Sequence, residues 1–119
     1  MSLTMPLVEH GRVYDEGHLG AVIAVDTPAW FAWLASGHTT RFRYALFDPA
    51  VGYITGFMTV RKEPRQRGGV YWTAYRRARG SGTMRKIYLG RTAQVSHARL
   101  QEIARVLHDE CTPVMEANI

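Results

Sequence analysis

The run Arg61-Lys62-Glu63-Pro64-Arg65-Gln66-Arg67-Gly68-Gly69 places four cations and two glycines within nine residues. Guanidinium and ammonium groups hold anionic oxygens, and glycine lets backbone N–H groups approach the same anion. The chemistry such a segment suits is phosphate capture. The next segment, Gly69 to Arg79, continues the theme. A period of two puts Tyr71, Thr73, Tyr75, Arg77 and Arg79 on one side and Val70, Trp72, Ala74 and Arg76 on the other. Tyrosine and arginine alternating on one face can stack on nucleic acid and hydrogen-bond to it. The same spacing also fits Tyr71 and Tyr75 packed beneath a helix, with the arginines at the strand end merely exposed. Arg85-Lys86 then starts a return strand opposite Arg76, Arg77 and Arg79. Five like charges around one hairpin repel unless an anion or a set of acids sits among them.

The charge of the whole chain points the same way. Of 15 basic residues, 14 fall between Arg41 and Arg105, against only Asp48, Glu63 and Glu102, so that window carries +11. The remainder has Arg12 against seven acids and carries −6. Separation of this kind favours a polyanionic partner. Its rival is internal: an acidic N-terminal hairpin folded over the arginines would satisfy them without any partner.

Other chemistries have little to stand on. His10, His18, His38, His97, His108 and Cys111 lack the close pairing of a zinc site. No G-x-S-x-G, phosphate-binding glycine loop or H-E-x-x-H occurs. Glu63 has no partner acid with which to hold a catalytic metal. An enzyme is not expected, nor a cofactor or metal. The single Cys111 allows no internal disulfide. No apolar run approaches the ~20 residues that span a bilayer, and no signal-peptide pattern opens the chain. The cytoplasm or nucleoid is the expected compartment.

These residues need elements to position them. Residues 1–10 read as a loose arm. Arg12–Tyr14 and Ala21–Val25, separated by Asp15-Glu16-Gly17-His18, read as a hairpin. Thr27 and Pro28 suit the cap and first turn of a helix carrying Trp30, Phe31, Trp33 and Leu34, which Gly37 stops. Strands are expected at Arg41–Phe47, Tyr53–Lys62, Val70–Arg79 and Met84–Leu89, with a turn at Gly80-Ser81-Gly82-Thr83. In the first of these, Phe42, Tyr44 and Leu46 share one face and Arg41 and Arg43 the other. A helix from about Ser96 to Asp109 carries the stripe Leu100, Ile103, Ala104 and Leu107. Residues 111–119 read as a frayed tail. The expectation is a single α+β domain over 11–110: an antiparallel three- to four-stranded sheet, a C-terminal helix packed on one face, and a short N-terminal helix and hairpin. The face left uncovered is where function belongs.

The order of these elements is similar to a known layout: strand, Arg-rich turn, aromatic strand, Gly-containing hairpin, a strand ending Tyr88-Leu89-Gly90, then a helix. It resembles the plant ethylene-response DNA-binding domain and the arm-binding domain of tyrosine integrases. In both, three strands lie in the major groove and the helix backs them. The integrase catalytic residues are absent, so this resemblance implies a binding module only. A second resemblance rests on Pro28-Ala29-Trp30-Phe31-Ala32-Trp33-Leu34, Arg61-Lys62-Glu63-x-Arg65-x-Arg67-Gly68-Gly69, Tyr71-Trp72-x-Ala74-Tyr75 and Arg85-Lys86-x-Tyr88-Leu89-Gly90-Arg91. It resembles the N-terminal segment of large LuxR-type transcription regulators akin to the maltose regulator. The ATPase and helix-turn-helix of those proteins have no counterpart in this sequence, so neither ATP use nor promoter control is implied.

The functional expectation is a non-catalytic module for double-stranded DNA, linked to transcription regulation or mobile elements. Arg61, Lys62, Arg65 and Arg67 would meet phosphates. Arg77, Arg79, Arg85 and Lys86 would sit in or beside the major groove, and Tyr71 and Tyr75 complete the nucleic-acid-binding set. The alternative is a protein-interaction or sensory/oligomerisation module of a transcriptional regulator, a homodimer among its forms, whose arginines pair with acids of the partner; RNA binding is a third option.

Overall fold

The computed structural model describes residues 5–15, 22–37, 39–64, 69–77 and 84–111. Their strands are β1 (Leu7–Glu9), β2 (Arg12–Tyr14), β3 (Ile23–Ala24), β4 (Arg41–Asp48), β5 (Tyr53–Pro64), β6 (Val70–Arg77) and β7 (Met84–Arg91). The helices are α1 (Pro28–Ala35) and α2 (His97–Cys111). All the strands join one mixed sheet in the order β3-β2-β1-β4-β5-β6-β7.

The α+β class and the C-terminal helix agree with expectation, and the four strands β4 to β7 form an antiparallel meander. The sheet is larger than the three or four strands expected. The difference comes from Leu7–Glu9, read from sequence as part of a loose arm. It forms β1, pairing antiparallel with β2 and parallel with β4. Val8 is fully buried there. Three residues are too few to show a strand period, so only the burial of Val8 against distant elements reveals this one. The β2–β3 hairpin forms as expected, but β1 splices it onto the meander as the far side of the same sheet.

The core lies on one face. Val8, Val13, Phe42, Tyr44, Leu46, Met58, Val60, Trp72, Ala74 and Leu89 of the sheet meet Trp30, Trp33 and Leu34 of α1 and Leu100, Ile103 and Leu107 of α2. Helix α1 starts where Thr27 accepts the Trp30 N–H at 3.3 Å. Both of its tryptophans find partners for their indole N–H: Trp30 donates to the Val95 carbonyl at 2.7 Å and Trp33 to Asp15 at 3.0 Å. Buried indoles need such partners, and here they tie α1 to the start of α2 and to the end of β2.

Helix α2 has two caps. The Ser96 hydroxyl accepts the Arg99 N–H at 3.2 Å, and Asp26 accepts the His97 N–H at 2.8 Å from 71 residues away. Asp26 holds a positive φ of 69° to reach it. Asp26→Ala loses the cap and keeps the strain, so it should lower thermal stability by about 1–2 kcal/mol. Asp26→Gly relieves the strain and should cost less, a ranking that differential scanning calorimetry can read.

Tyr44 is buried in the core, and burial pushes its pKa up to about 12. An unfolded tyrosine titrates near ~10. The Tyr44 contribution to stability is therefore complete below pH ~10 and lost as pH rises through its folded value. Tyr44→Phe should move the alkaline unfolding midpoint upward in a circular-dichroism pH titration. An unmoved midpoint would show that other groups set the alkaline limb.

Candidate nucleic-acid interface

Which face α2 covers decides the site. Trp72 and Ala74 are buried with Leu100, Ile103 and Leu107, so α2 covers the Trp72 side of β6. Tyr71, Thr73, Tyr75 and Arg77 face the other way. Residues directly opposite one another in a sheet share a face. The register therefore assembles the uncovered face strand by strand. It carries Arg41 and Arg43 from β4; Phe57, Thr59, Arg61 and Glu63 from β5; Tyr71, Thr73, Tyr75 and Arg77 from β6; and Met84, Lys86, Tyr88 and Arg91 from β7.

A register shift at Trp72/Thr73 completes it. Trp72 pairs with Gly90 while Thr73 pairs with Tyr88, leaving Leu89 as the extra residue of a bulge. Strict alternation would turn Arg91 to the helix side. The bulge returns it to the uncovered face beside Tyr71 and Tyr88. Gly90 has a φ of 122°, and a β-carbon there would lie 2.4 Å from Gln94 Oε1. That same oxygen accepts the Arg91 N–H at 2.8 Å. Gly90→Ala should therefore destabilise by roughly 1–3 kcal/mol in chemical denaturation, since both φ and space oppose it.

Four of the described cations on this face lie over rings. The Arg43 guanidinium sits 4.9 Å from the Phe57 centroid, Arg61 5.9 Å and Lys86 5.8 Å from that of Tyr75, and Arg91 5.5 Å from that of Tyr71. Such contacts spread long side chains flat over the sheet with their charge still available. Tyr88 packs against Tyr71 at 5.6 Å. Tyr88 is 46% and Phe57 42% exposed, which is unusual for large rings in the middle of strands.

Glu63 is the single acid of β5, β6 and β7. Its two oxygens accept hydrogen bonds from Thr73 at 2.8 Å and from the Tyr75 hydroxyl at 2.5 Å. The Tyr75 bond, then the Thr73 bond, then nearby Lys86 and Arg61 hold its carboxyl below the ordinary value, against the effect of burial. The partner shift is opposite: the bond to Glu63 raises the Tyr75 hydroxyl. A depressed carboxyl stabilises the fold above its unfolded pKa near ~4.3, and that stabilisation is lost as pH falls through the folded value. Glu63→Gln should accordingly flatten the acid limb of the stability profile below pH ~4.

The sequence-based candidates divide. Arg61, Tyr71, Tyr75, Arg77 and Lys86 come together on the uncovered face. Lys62 does not. It points to the helix side, donates to the Ser36 carbonyl at 3.0 Å and lies 5.4 Å from the Trp72 ring centroid. Desolvation lowers its pKa, as expected of a cation used to close the end of α1. Arg85 pairs with Arg76 in register, so both belong to the helix side. The basic hairpin is thus split across two faces rather than gathered on one. Arg65, Arg67 and Arg79 lie outside the described residues. Arg41, Arg43, Phe57, Tyr88 and Arg91 are the additions. The period of β4 signalled the first two, and nothing in the sequence signalled the bulge that places Arg91.

The internal rival can be followed only in part, since Glu16 lies outside the described residues. Strands β2 and β3 stand at the opposite end of the sheet from β6 and β7, and Asp15 accepts from Trp33 there. Among the described residues, no group of three or more His, Cys, Asp or Glu could hold a metal, and no helix is long and apolar enough to cross a membrane. Comparison of the chain with family models, with curated proteins and with solved structures gives no match in any of the three.

Proposed function

We propose that the uncovered face of β4 to β7 binds nucleic acid without catalysing a reaction on it. One observation carries the reading: cations and exposed aromatic rings share a single sheet face, with Arg43, Arg61, Lys86 and Arg91 lying over rings. Cations there supply the sequence-independent phosphate attraction, and rings supply stacking.

Shape bears on which nucleic acid. Four strands at about 4.8 Å spacing span roughly 14 Å between outer axes, wider than a major groove of about 12 Å. The whole face is better suited to an unpaired strand laid across it than to a duplex. Duplex DNA suits at most three of the strands, about 10 Å across, with the β6–β7 ribbon presenting Arg77, Met84 and Lys86 near its tip, and that narrower contact is the second reading. A regulatory setting is what the sequence resemblances imply for either.

The test is a fluorescence-anisotropy titration with a labelled mixed-sequence strand and its duplex over a range of salt. Arg41, Arg43, Arg61, Lys86 and Arg91 together should give a log–log salt slope near −3.5 for the single strand, at about −0.7 per neutralised phosphate. A slope near zero, or a salt-tolerant dimer that ignores both probes, would favour the protein-interaction alternative instead.

A further inference from the structure

A carboxylate on a cationic binding face is costly for phosphate capture. The charges of Arg61 and Lys86 both act on Glu63. It is also fixed in place, since each oxygen accepts one side-chain hydrogen bond, from Thr73 and from Tyr75. A carboxylate offers about four lone-pair positions. Two are used here, so each oxygen keeps capacity for one more donor. The group is half-buried, is held in one orientation, and carries two parallel acceptors in a field of donors.

We infer that Glu63 reads an unpaired guanine, accepting the N1–H and the N2 amino hydrogen of its Watson–Crick edge with its two oxygens. Guanine is the base whose Watson–Crick edge offers two adjacent donors to a carboxylate. Adenine and cytosine offer one amino group beside an acceptor nitrogen, which the carboxylate repels. Uracil and thymine offer one N–H between two carbonyls. The same edge is hidden in a duplex, so this recognition also selects unpaired strands. Arg61 and Lys86 flank the carboxylate and take the phosphates on either side of the bound base. Tyr88 and Tyr71 offer the rings on which neighbouring bases stack. The tyrosine and threonine bonds act as supports: they fix the carboxylate before the base arrives, which reduces the ordering cost of binding.

The inference rests on the nucleic-acid reading above, and the experiment separates the two. The intact chain is titrated with three single strands of equal length: one containing guanine, one with inosine at each guanine, and one with adenine there. DNA and RNA versions of each distinguish the two backbones. Inosine lacks only the N2 amino group, so loss of one hydrogen bond to a charged acceptor should weaken binding about tenfold. Adenine should weaken it more. Glu63→Gln should bring the guanine and inosine strands to within about twofold of each other, while the salt dependence persists. Binding of all three strands with equal affinity by the unaltered chain would overturn the role of Glu63 and leave the interface standing. A guanine preference that survives in Glu63→Gln would overturn it equally. Failure to bind any strand would overturn the interface itself. The inosine comparison needs no variant, so it holds even if Glu63→Gln does not fold.

Discussion

Alanine at Arg43, Arg61, Lys86 and Arg91 together should weaken binding to a single-stranded oligonucleotide by roughly 100- to 1,000-fold near 0.1 M salt, at about 1 kcal/mol per lost contact. Each of these side chains lies over a ring of the uncovered face, so each presents its charge at the height of a strand stacked on that face. The salt slope should fall in magnitude by about 2.8, since each contact with a single strand accounts for roughly 0.7. Folding should survive, because these groups lie away from the core. Two controls share the charge but not the face. Lys62 points to the helix side and is bonded to Ser36, and Arg105 is an exposed residue of α2. Lys62→Met and Arg105→Ala should leave affinity within about twofold, as single cations remote from the strand contribute only weak, screened attraction. Equal losses from the controls and the quadruple variant would mean that net charge, and not this face, drives association.

Trp30→Ala should be the most damaging single change to the fold, at about 3–5 kcal/mol in urea denaturation. Three effects combine. The indole is fully buried, so its removal leaves a large cavity. Its ring stacks on Trp33 at 5.6 Å and meets Phe42 edge-on at 5.7 Å, and both contacts are lost. Its N–H is the donor to the buried Val95 carbonyl just before α2, and an unsatisfied carbonyl adds its own penalty. Trp30→Phe separates these effects. It keeps most of the ring contact and loses the hydrogen bond, so it should cost about 1–3 kcal/mol. A loss near zero for Trp30→Ala would contradict the packing of α1 against the sheet.

Much of this arrangement was legible in the sequence, for reasons tied to particular residues. Phe42, Tyr44 and Leu46 against Arg41 and Arg43 is a clean alternation, and β4 follows it. Thr27-Pro28 and Ser96 are side chains that cap helices by their chemistry, and α1 and α2 begin there. In β6 the sequence offers aromatic residues to both faces, so composition cannot choose between Tyr71 and Tyr75 or Trp72 as the covered set. Only the stripe of α2, in place, decides for Trp72. The bulge at Leu89 depends on how two strands pair, which is a property of neither strand alone. The parallel pairing of β1 with β4 joins segments more than thirty residues apart and leaves no local trace. Glu63 was visible, but as a lone acid without catalytic company. Its meaning comes from Thr73 and Tyr75 on the next strand, brought opposite by register.

The central claim is that nucleic acid lies on the uncovered face of β4 to β7. An NMR titration of the isotope-labelled chain with a short guanine-containing single strand tests it most directly. Signals of Arg43, Phe57, Arg61, Glu63, Tyr75, Lys86, Tyr88 and Arg91 should shift together and saturably, while those of Leu100, Ile103 and Leu107 stay in place. Shifts confined to α2 or to the β1–β3 end of the sheet would contradict it.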